Sequence, residues 1–358
     1  MSPGSTSSDD PGYNSLDDLE RMAQGRLDAG TWAYLSDVAE DGRTAARERR
    51  VLDGITLRQR GLGETAPVDT SVSLFGQRLG CPVLGAPTSG QAFVHPDAEV
   101  AMARGCAAAG SLAVIPMTGS TTIEDIARAG VGWWLQLYLP SDLWAASAIV
   151  ERAHASGAGA VVISIDVPAL ARRRNVPAGY PPGWHERLIH LRADAEKDSL
   201  FTLGSAPFRW SSLETVRQRS RLPVLVKGVL DPDDARKAVD HGADGVILST
   251  HGGRQLDCAP TAAEVLPAVR DVVDGRAVLL ADGGIRRGSH ALRMMVRGAD
   301  AVLVGRPALW GLACGGEDGV RAAFAILHRE LRTAMALTGC TSVADISAEM
   351  EWPGNERQ

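Results

Sequence analysis

The stretch PVLVKGVLDPDDARKAVDHGADGVILS (residues 223–249) holds two short apolar runs with a helical run between them. PVLVKG (223–228) and GVILS (245–249) are almost continuously apolar, which is typical of strands that are covered on both faces. Between them, DPDDARKAVDHG mixes charged and apolar residues and is bounded by turn residues. This order predicts two parallel strands joined by a helix.

The same unit recurs along the chain from residue 81 onward. Eight alternating units favour an α/β fold, a single closed (β/α)8 TIM barrel, with a doubly wound open sheet as the alternative. The predicted strands are PVLGA (82–86), LAVI (112–115), WWLQLY (133–138), AVVISID (160–166), PVLVKG (223–228), GVILS (245–249), AVLLAD (277–282) and AVLVG (301–305).

Further segments flank the predicted barrel, which covers residues 76–347. Residues 1–14 predict a disordered polar tail without a signal peptide, residues 15–75 an N-terminal helical segment that begins at Ser15, and residues 348–358 a C-terminal tail. The connection after the fourth strand is long and rich in Pro, Gly and charge. It predicts a mobile excursion at about 174–212, a candidate lid over one face.

Composition excludes several classes of protein. The net charge of −6 argues against nucleic-acid binding. No apolar run reaches the roughly 18 residues that span a bilayer. The five cysteines lack CxxC and zinc-ligand spacing, which indicates free thiols in a reducing compartment and no metal site. We therefore expect a cytoplasmic globular protein that binds neither nucleic acid nor a membrane.

Polar and ionisable residues follow most of the predicted strands. In parallel barrels the carboxyl ends of the strands form the active face. A barrel without catalytic function could carry some polar residues at its strand ends. Polar residues at most of the strand ends predict an active site at this face. The strand ends carry Thr88 and Ser89, Met117, Gln136 and Tyr138, Asp166, Lys227, His251 with Arg254, Asp282 with Gly283 and Gly284, and Gly305 with Arg306.

Three of these residues suggest acid–base or electrostatic chemistry. Lys227 is a rare lysine in an arginine-rich chain, and it lies in a strand that should be buried. Three interpretations of Lys227 are open. Its side chain extends to solvent at the barrel mouth, it is a Schiff-base nucleophile, or it is a fixed cation beside an anionic cofactor. His251 lies on the glycine turn of STHGGRQLD (249–257). Asp166 is either a loop cap or the carboxylate that orients this histidine.

Arginines mark two candidate anion sites. RRR (172–174) is either a solvated patch or, together with Arg254, part of a bidentate clamp for a carboxylate. DGGIRRG (282–288) and VGRP (304–307) follow the last two strands, where such barrels customarily bind phosphate. Arg286 and Arg306 would supply the cations there.

These motifs occur in the order found in a known family. From about Ser15 to Ile346 the chain resembles the FMN-dependent 2-hydroxy acid oxidases and dehydrogenases, which include glycolate oxidase, lactate oxidase, mandelate dehydrogenase and hydroxymandelate oxidase. HGGRQLD (251–257) is the most specific motif. It is supported by QLY, IDVP followed by RRR, LVKGV, DGGIRRG and VGRP.

The resemblance implies a reaction and a cofactor. An L-2-hydroxy acid would be oxidised to the 2-oxo acid, with a hydride equivalent passed to N5 of FMN. Reoxidation would be by O2, which yields H2O2, or by another soluble acceptor. The resemblance also implies a homotetramer or an octamer.

Roles for individual residues follow from the same resemblance. His251 matches the catalytic base and Asp166 the carboxylate that stabilises its protonated form. Tyr34, Arg173 and Arg254 match the site of the substrate carboxylate, and Tyr138 the contact to the substrate hydroxyl. Lys227 matches a lysine near flavin N1 and O2. The other matches to the FMN site are Thr88, Ser89, Gln136, Ser164, Asp282, Gly284, Arg286, Gly305 and Arg306.

Four positions depart from the family pattern. Thr250 replaces the asparagine of the usual SNHGG, Ser89 replaces alanine or glycine, and Pro116 replaces serine or threonine. Thr118 replaces a residue that is often aromatic in glycolate oxidases, which suggests room for an aryl, mandelate-like side chain. Two other classes stay open: a phosphate-binding barrel aldolase that uses Lys227, and a non-catalytic flavin-binding scaffold.

Overall fold

The computed structural model describes residues 13–61, 67–139, 143–169, 171–173 and 209–353. The described chain begins with three helices, α1 (Leu16–Arg26), α2 (Ala29–Ser36) and α3 (Arg43–Gly54). Ser15 caps α1: its hydroxyl accepts the backbone N–H of Asp18, and the Asp18 carboxylate accepts the backbone N–H of Ser15. This reciprocal capping fixes the start of the helix where the sequence predicted it.

A hairpin precedes the barrel and was not predicted. Strands β1 (Val72–Leu74) and β2 (Gln77–Leu79) pair antiparallel, so the last residues of the predicted helical segment 15–75 are extended. The hairpin packs against the amino end of the barrel, where the ring centroids of Phe75 and Trp134 lie 5.7 Å apart. The Trp134 indole N–H also donates to Oε1 of Gln77, at 2.7 Å.

Eight parallel strands close into a barrel, so the barrel prediction is confirmed and the open sheet is wrong. Each predicted strand is present, and no strand end differs from its prediction by more than two residues. The barrel closes where the last strand pairs with the first. The strands are β3 (Val83–Gly85), β4 (Ala113–Pro116), β5 (Trp133–Leu137), β6 (Val161–Ser164), β7 (Val224–Val229), β8 (Gly245–Leu248), β9 (Val278–Ala281) and β10 (Ala301–Val304).

Helices cover the outside of the barrel. The longest is interrupted at Gly315 and Gly316, where the backbone dihedrals are not helical. None of the described helices is long and apolar enough to cross a membrane. The helices are α4 (Gln91–Val94), α5 (Ala98–Ala108), α6 (Ile123–Arg128), α7 (Leu143–Ala155), α8 (Trp210–Arg219), α9 (Pro232–Asp240), α10 (Ala262–Val273), α11 (Gly288–Val296) and α12 (Arg306–Leu337).

Parts of three predicted segments lie outside the described residues, namely 1–12, 174–208 and 354–358. Within the predicted excursion, helix α8 begins at Trp210. Within the predicted C-terminal tail, Met350 is buried, and the backbone N–H of Trp352 donates to the carbonyl of Thr56 at 2.8 Å. Residues 348–353 therefore pack against the N-terminal segment.

The hydrophobic core has two layers, because strand residues alternate between the barrel interior and the helices. Trp134, Val162, Leu225 and Ile247 are fully buried in the interior cluster, which also includes residues of the β1–β2 hairpin. The neighbouring strand residues pack outward against the helices. Side chains thus fill the barrel interior, and in this fold a ligand binds where the strands end.

Candidate active site

A cavity of about 340 Å³ lies at the carboxyl ends of the barrel strands, within the range of small-molecule sites. It gathers the predicted site residues from seven strand ends and from α2. Asp166 is the exception, and it lies behind His251. The predicted residues that line the cavity are Tyr34, Thr88, Ser89, Gln136, Tyr138, Ser164, Arg173, Lys227, His251, Arg254, Asp282, Gly284, Arg286, Gly305 and Arg306.

The turn after β8 holds His251 in an unusual backbone conformation. His251 has a φ of +57°, and Gly252 and Gly253 follow with +65° and +70°. Three successive left-handed residues turn the chain sharply, and the non-glycine residue among them carries strain. A Cβ at Gly253 would lie 2.7 Å from the Cβ of Ala45, so the turn packs directly on α3. Asp257 strengthens this contact, since its carboxylate accepts the backbone N–H groups of residues 41 and 44.

His251 and Asp166 form a buried pair. Asp166 Oδ2 lies 3.1 Å from His251 Nδ1. Burial on its own would raise the pKa of Asp166, but the charges of His251 and Lys227 outweigh it, and this pKa lies below its usual value. Asp166 is therefore ionised at neutral pH and favours a proton on Nδ1. Nε2 then remains as the basic nitrogen of His251.

The space for Asp166 is created by the neighbouring strand. Gly228, in β7, has a φ of +100°, and a Cβ there would lie 2.4 Å from the Cβ of Asp166. The pairing of β7 with β8 shifts at this point, between Lys227 and Val229. Gln255, which the sequence did not single out, donates to the Asp166 carbonyl at 2.7 Å. Gly228 thus makes room for the Asp166 side chain, and Gln255 holds the Asp166 backbone.

Two guanidinium groups converge on one tyrosine. The Cζ atoms of Arg173 and Arg254 lie 5.3 and 5.1 Å from the ring centroid of Tyr34. Arg254 also donates to the backbone carbonyls of Tyr34, Leu35 and Asp37 at the end of α2. Burial, followed by the charge of Arg173, lowers the pKa of Arg254 to about 10, so this guanidinium is cationic at neutral pH. Such a pair suits a carboxylate ligand.

Lys227 belongs to a compact polar network beneath the cavity. Its ammonium lies 3.1 Å from Asp282 Oδ2 and donates to Ser249 Oγ at 2.7 Å. Ser249 donates to Asp282 Oδ1 at 2.6 Å and accepts the backbone N–H of His251 at 2.9 Å. Burial favours the neutral amine, but the negative charges of Asp282 and Asp166 together outweigh it, and the pKa of Lys227 is raised. The lysine is therefore a fixed cation, which opposes the Schiff-base interpretation.

The cations after β9 and β10 suit a phosphate. Within the described part of the chain, Arg286 and Arg306 donate only to backbone carbonyls, and neither forms an ion pair with a carboxylate. Burial lowers the pKa of each to about 10. Gly305 beside them has little room for a side chain, since a Cβ there would lie 3.3 Å from Thr88 Cγ2. Cations beside a glycine loop fit the phosphate of FMN.

Hydroxyl and amide groups line another part of the cavity. The Gln136 amide donates to Ser164 Oγ at 3.0 Å, and both residues are buried. The Ser89 and Thr118 hydroxyls, after β3 and β4, are hydrogen-bonded to each other. Two of the departures from the family pattern are therefore in direct contact.

Two buried groups behind Arg286 and Arg306 were not predicted from the sequence. Glu48 of α3 packs under Gly283 and Gly284. His290 of α11 accepts the backbone N–H of Arg286 on Nδ1, and its Nε2 lies 2.9 Å from Asp53 Oδ1. Burial lowers the pKa of His290 to about 4, so it is neutral and holds the loop through a fixed tautomer. Neither residue has a local sequence signal, because only the tertiary structure buries it.

Comparisons with known proteins agree with this geometry. A family model described as FMN-dependent dehydrogenase matches residues 23–353. An L-lactate oxidase of Nostoc sp. is 36% identical, with 93% of this chain and 96% of that protein covered. A 4-hydroxymandelate oxidase of Amycolatopsis orientalis is 38% identical, with coverage of 92% and 96%.

Solved structures give the same result. A crystal structure of mandelate oxidase superposes with a TM-score of 0.87 at 38% identity and covers 93% of this chain and 97% of that one. The match to the family model spans nearly all of the described chain, and the cavity offers the cations and glycine loops that FMN requires. The chain therefore belongs to the FMN-dependent dehydrogenase family, and its cofactor is FMN.

Proposed function

We propose that this enzyme oxidises an L-2-hydroxy acid with an aryl side chain to the 2-oxo acid, and that O2 reoxidises the cofactor with release of H2O2. The observation that carries the proposal is the placement of two guanidiniums and a His–Asp pair around one cavity. The named relatives, an L-lactate oxidase and a 4-hydroxymandelate oxidase, support the hydroxy acid class.

Each residue then has a defined task. Arg173 and Arg254 bind the substrate carboxylate, and Tyr34 between them keeps both guanidiniums in place. Tyr138 contacts the substrate hydroxyl. His251 accepts a proton from the substrate on Nε2, while Asp166 stabilises the imidazolium that results.

The cofactor would be held by the remaining residues of the cavity. Arg286 and Arg306, together with the glycines after β9 and β10, would bind its phosphate. Lys227, Gln136 and Ser164 would contact its ring. When bound, FMN accepts the two electrons that leave the substrate, and the Lys227 ammonium would stabilise the negative charge that FMN gains with them.

Replacing Asp166 with Asn should lower the rate of flavin reduction by about 10²–10⁴-fold, with little change in the amount of bound FMN. An amide has the shape of the carboxylate but no charge to stabilise the imidazolium. Anaerobic stopped-flow absorbance measures the rate. Asp271→Asn, at an exposed position on α10, is the matched control. Reduction at the wild-type rate in Asp166→Asn would contradict the proposed role.

The wall formed by Ser89 and Thr118 supports the choice of an aryl substrate. Thr118 is buried after β4 and lines the cavity together with Tyr138, which follows the neighbouring strand β5. A side chain as small as threonine would leave room there for an aryl group. The solved relatives include mandelate oxidase with (S)-4-hydroxymandelic acid.

An anaerobic panel of 2-hydroxy acids tests the substrate class. We expect mandelate and 4-hydroxymandelate to bleach the flavin faster than glycolate or lactate. Thr118→Phe should lower kcat/KM for the aryl acids by at least about tenfold and spare lactate, since filling a pocket discriminates by side-chain size. Equal losses for both substrates, or faster bleaching of the wild type by glycolate, would contradict the aryl assignment.

Admitting air to the reduced enzyme tests the acceptor. We expect the flavin absorbance to return, with one H2O2 formed for each flavin. Recovery only after addition of an artificial acceptor would favour a dehydrogenase that uses a partner other than oxygen.

A further inference from the structure

Glu48 is a buried acid in a largely exposed run of charged residues. It lies in ARERR (46–50) on α3, and only 3% of its surface is exposed. The loop after β9 is shaped around it. A Cβ at Gly283 would lie 2.3 Å from Glu48 Oε1, and one at Gly284 would lie 2.8 Å from Glu48 Cβ. Because both glycines also border the cavity, Glu48 lies directly behind the proposed phosphate site.

Thr250 is the hydrogen-bond partner of this acid. Its hydroxyl donates to Glu48 Oε1 and accepts the backbone N–H of Gly253, at 3.1 Å. Thr250 stands where the family motif has asparagine, and the structure now gives that departure a physical reason. A threonine hydroxyl can join a carboxyl group on α3 to the turn that carries His251.

The charges around Glu48 are nearly balanced. Asp282 faces it from the end of β9, with Arg286 in the same loop, Arg306 at the start of α12 and Lys227 on β7. Among the described residues, Glu48 nevertheless forms no direct ion pair. Burial raises the pKa of Glu48 to about 7, with a further contribution from Asp282, while Thr250 and the two arginines act in the opposite direction.

We propose that Glu48 takes up a proton from solvent when the phosphate of FMN binds, so that flavin affinity is coupled to the charge of this buried carboxyl. The proposal rests on the placement of the phosphate beside Arg286 and Arg306. The phosphate dianion would engage these cations, and the glycines that border the cavity would place it close to Glu48. An ionised Glu48 would then lose its electrostatic compensation and repel the dianion, and a proton removes that cost.

The direction of the pH dependence follows from this coupling. Below about pH 7, Glu48 already carries a proton in the flavin-free protein, and it contributes no pH dependence. Above that pH, each FMN that binds takes up as much as one proton. The dissociation constant should therefore rise with pH by up to about tenfold per unit, until the pKa of Glu48 in the holoenzyme is passed.

The test compares wild-type holoenzyme with Glu48→Gln, in which an amide mimics the protonated acid. After dilution at pH 6 to 9, the fluorescence of released FMN gives the dissociation constant. We expect the wild type to lose affinity above pH 7. Glu48→Gln should keep a nearly constant affinity and bind FMN at least about tenfold tighter than wild type at pH 8.5. Identical pH profiles in the two proteins would overturn the proposal.

Calorimetry in buffers of different ionisation enthalpy provides a direct proton count. At pH 8, FMN binding to the flavin-free full chain should take up a substantial fraction of a proton in the wild type and none in Glu48→Gln. Thr250→Val should move the affinity loss to higher pH, because it removes the donor to the carboxylate, whereas Thr250→Ser should not. A wild-type profile in Thr250→Val counts against the proposal.

A further variant tests the placement of the phosphate separately from the role of Glu48. Arg306→Met should weaken FMN binding at every pH if the phosphate lies where we place it. If Arg306→Met binds FMN normally, the phosphate placement is wrong. If it binds weakly while Glu48→Gln keeps the wild-type pH profile, only the role of Glu48 is wrong.

Discussion

His251→Ala is expected to reduce the flavin about 10²–10⁴-fold more slowly than wild type while it keeps its FMN. The variant removes the group that we propose accepts the substrate proton. The residues proposed to hold the cofactor phosphate, Arg286 and Arg306, are unchanged. Anaerobic bleaching by the best substrate measures the rate, and the ratio of flavin absorbance to protein measures FMN content.

A matched histidine variant controls for nonspecific effects. His241→Ala changes a histidine at the end of α9, where it pairs with Glu214 at 2.7 Å, remote from the strand ends that form the site. It should reduce the flavin at the wild-type rate. If His251→Ala also does so with a substrate that wild type turns over, the proposed base is misassigned.

Arg254→Leu is expected to weaken substrate binding by roughly 30- to 3,000-fold, which corresponds to about 2–5 kcal/mol for the loss of one partner of a buried charge pair. The guanidinium supplies one half of the proposed carboxylate clamp, and it also anchors the end of α2. Binding of a non-reactive 2-oxo acid, followed by the flavin spectrum, measures the affinity directly.

Two further variants separate charge from geometry. Arg254→Lys keeps a cation but loses the planar fork, so it should recover only part of the affinity. Arg172→Lys changes the exposed neighbour of Arg173 and should bind ligand normally. Normal ligand affinity in Arg254→Leu would place the carboxylate elsewhere in the cavity.

The barrel and most of the site could be predicted because their signals are local. Each strand is a short apolar run between turn residues, and such runs need no knowledge of the tertiary structure. The strands are parallel, so their ends meet at one face. Residues as distant as Thr88 and Arg306 therefore line the same cavity.

The β1–β2 hairpin could not be predicted in the same way. Each of its strands has three residues and a single buried position, Leu74 and Leu79 respectively. Alternation over three residues gives no period to detect. The pair is stabilised by contacts with Trp134, which lies far along the chain.

Glu48 escaped prediction for a different reason. A glutamate among arginines on a helix is typical of a solvated surface, and most such residues are exposed. Its burial depends on two glycines more than two hundred residues later, which leave space for it. The replacement of the motif asparagine by Thr250 could not be explained from the sequence, because the sequence does not show its hydrogen-bond partner Glu48.

The contacts of α2 with the barrel determine when the active site can form. The carbonyl of Leu35 accepts a hydrogen bond from Arg306, at a sequence separation of 271 residues. Helix α2 is synthesised early, but Arg306 follows the last barrel strand and is synthesised much later. A contact of such long range forms only after the intervening chain is ordered, at a cost in loop closure. We therefore expect Tyr34 on this helix to reach its place late in folding, and a partly built barrel would lack the finished form of the proposed carboxylate site.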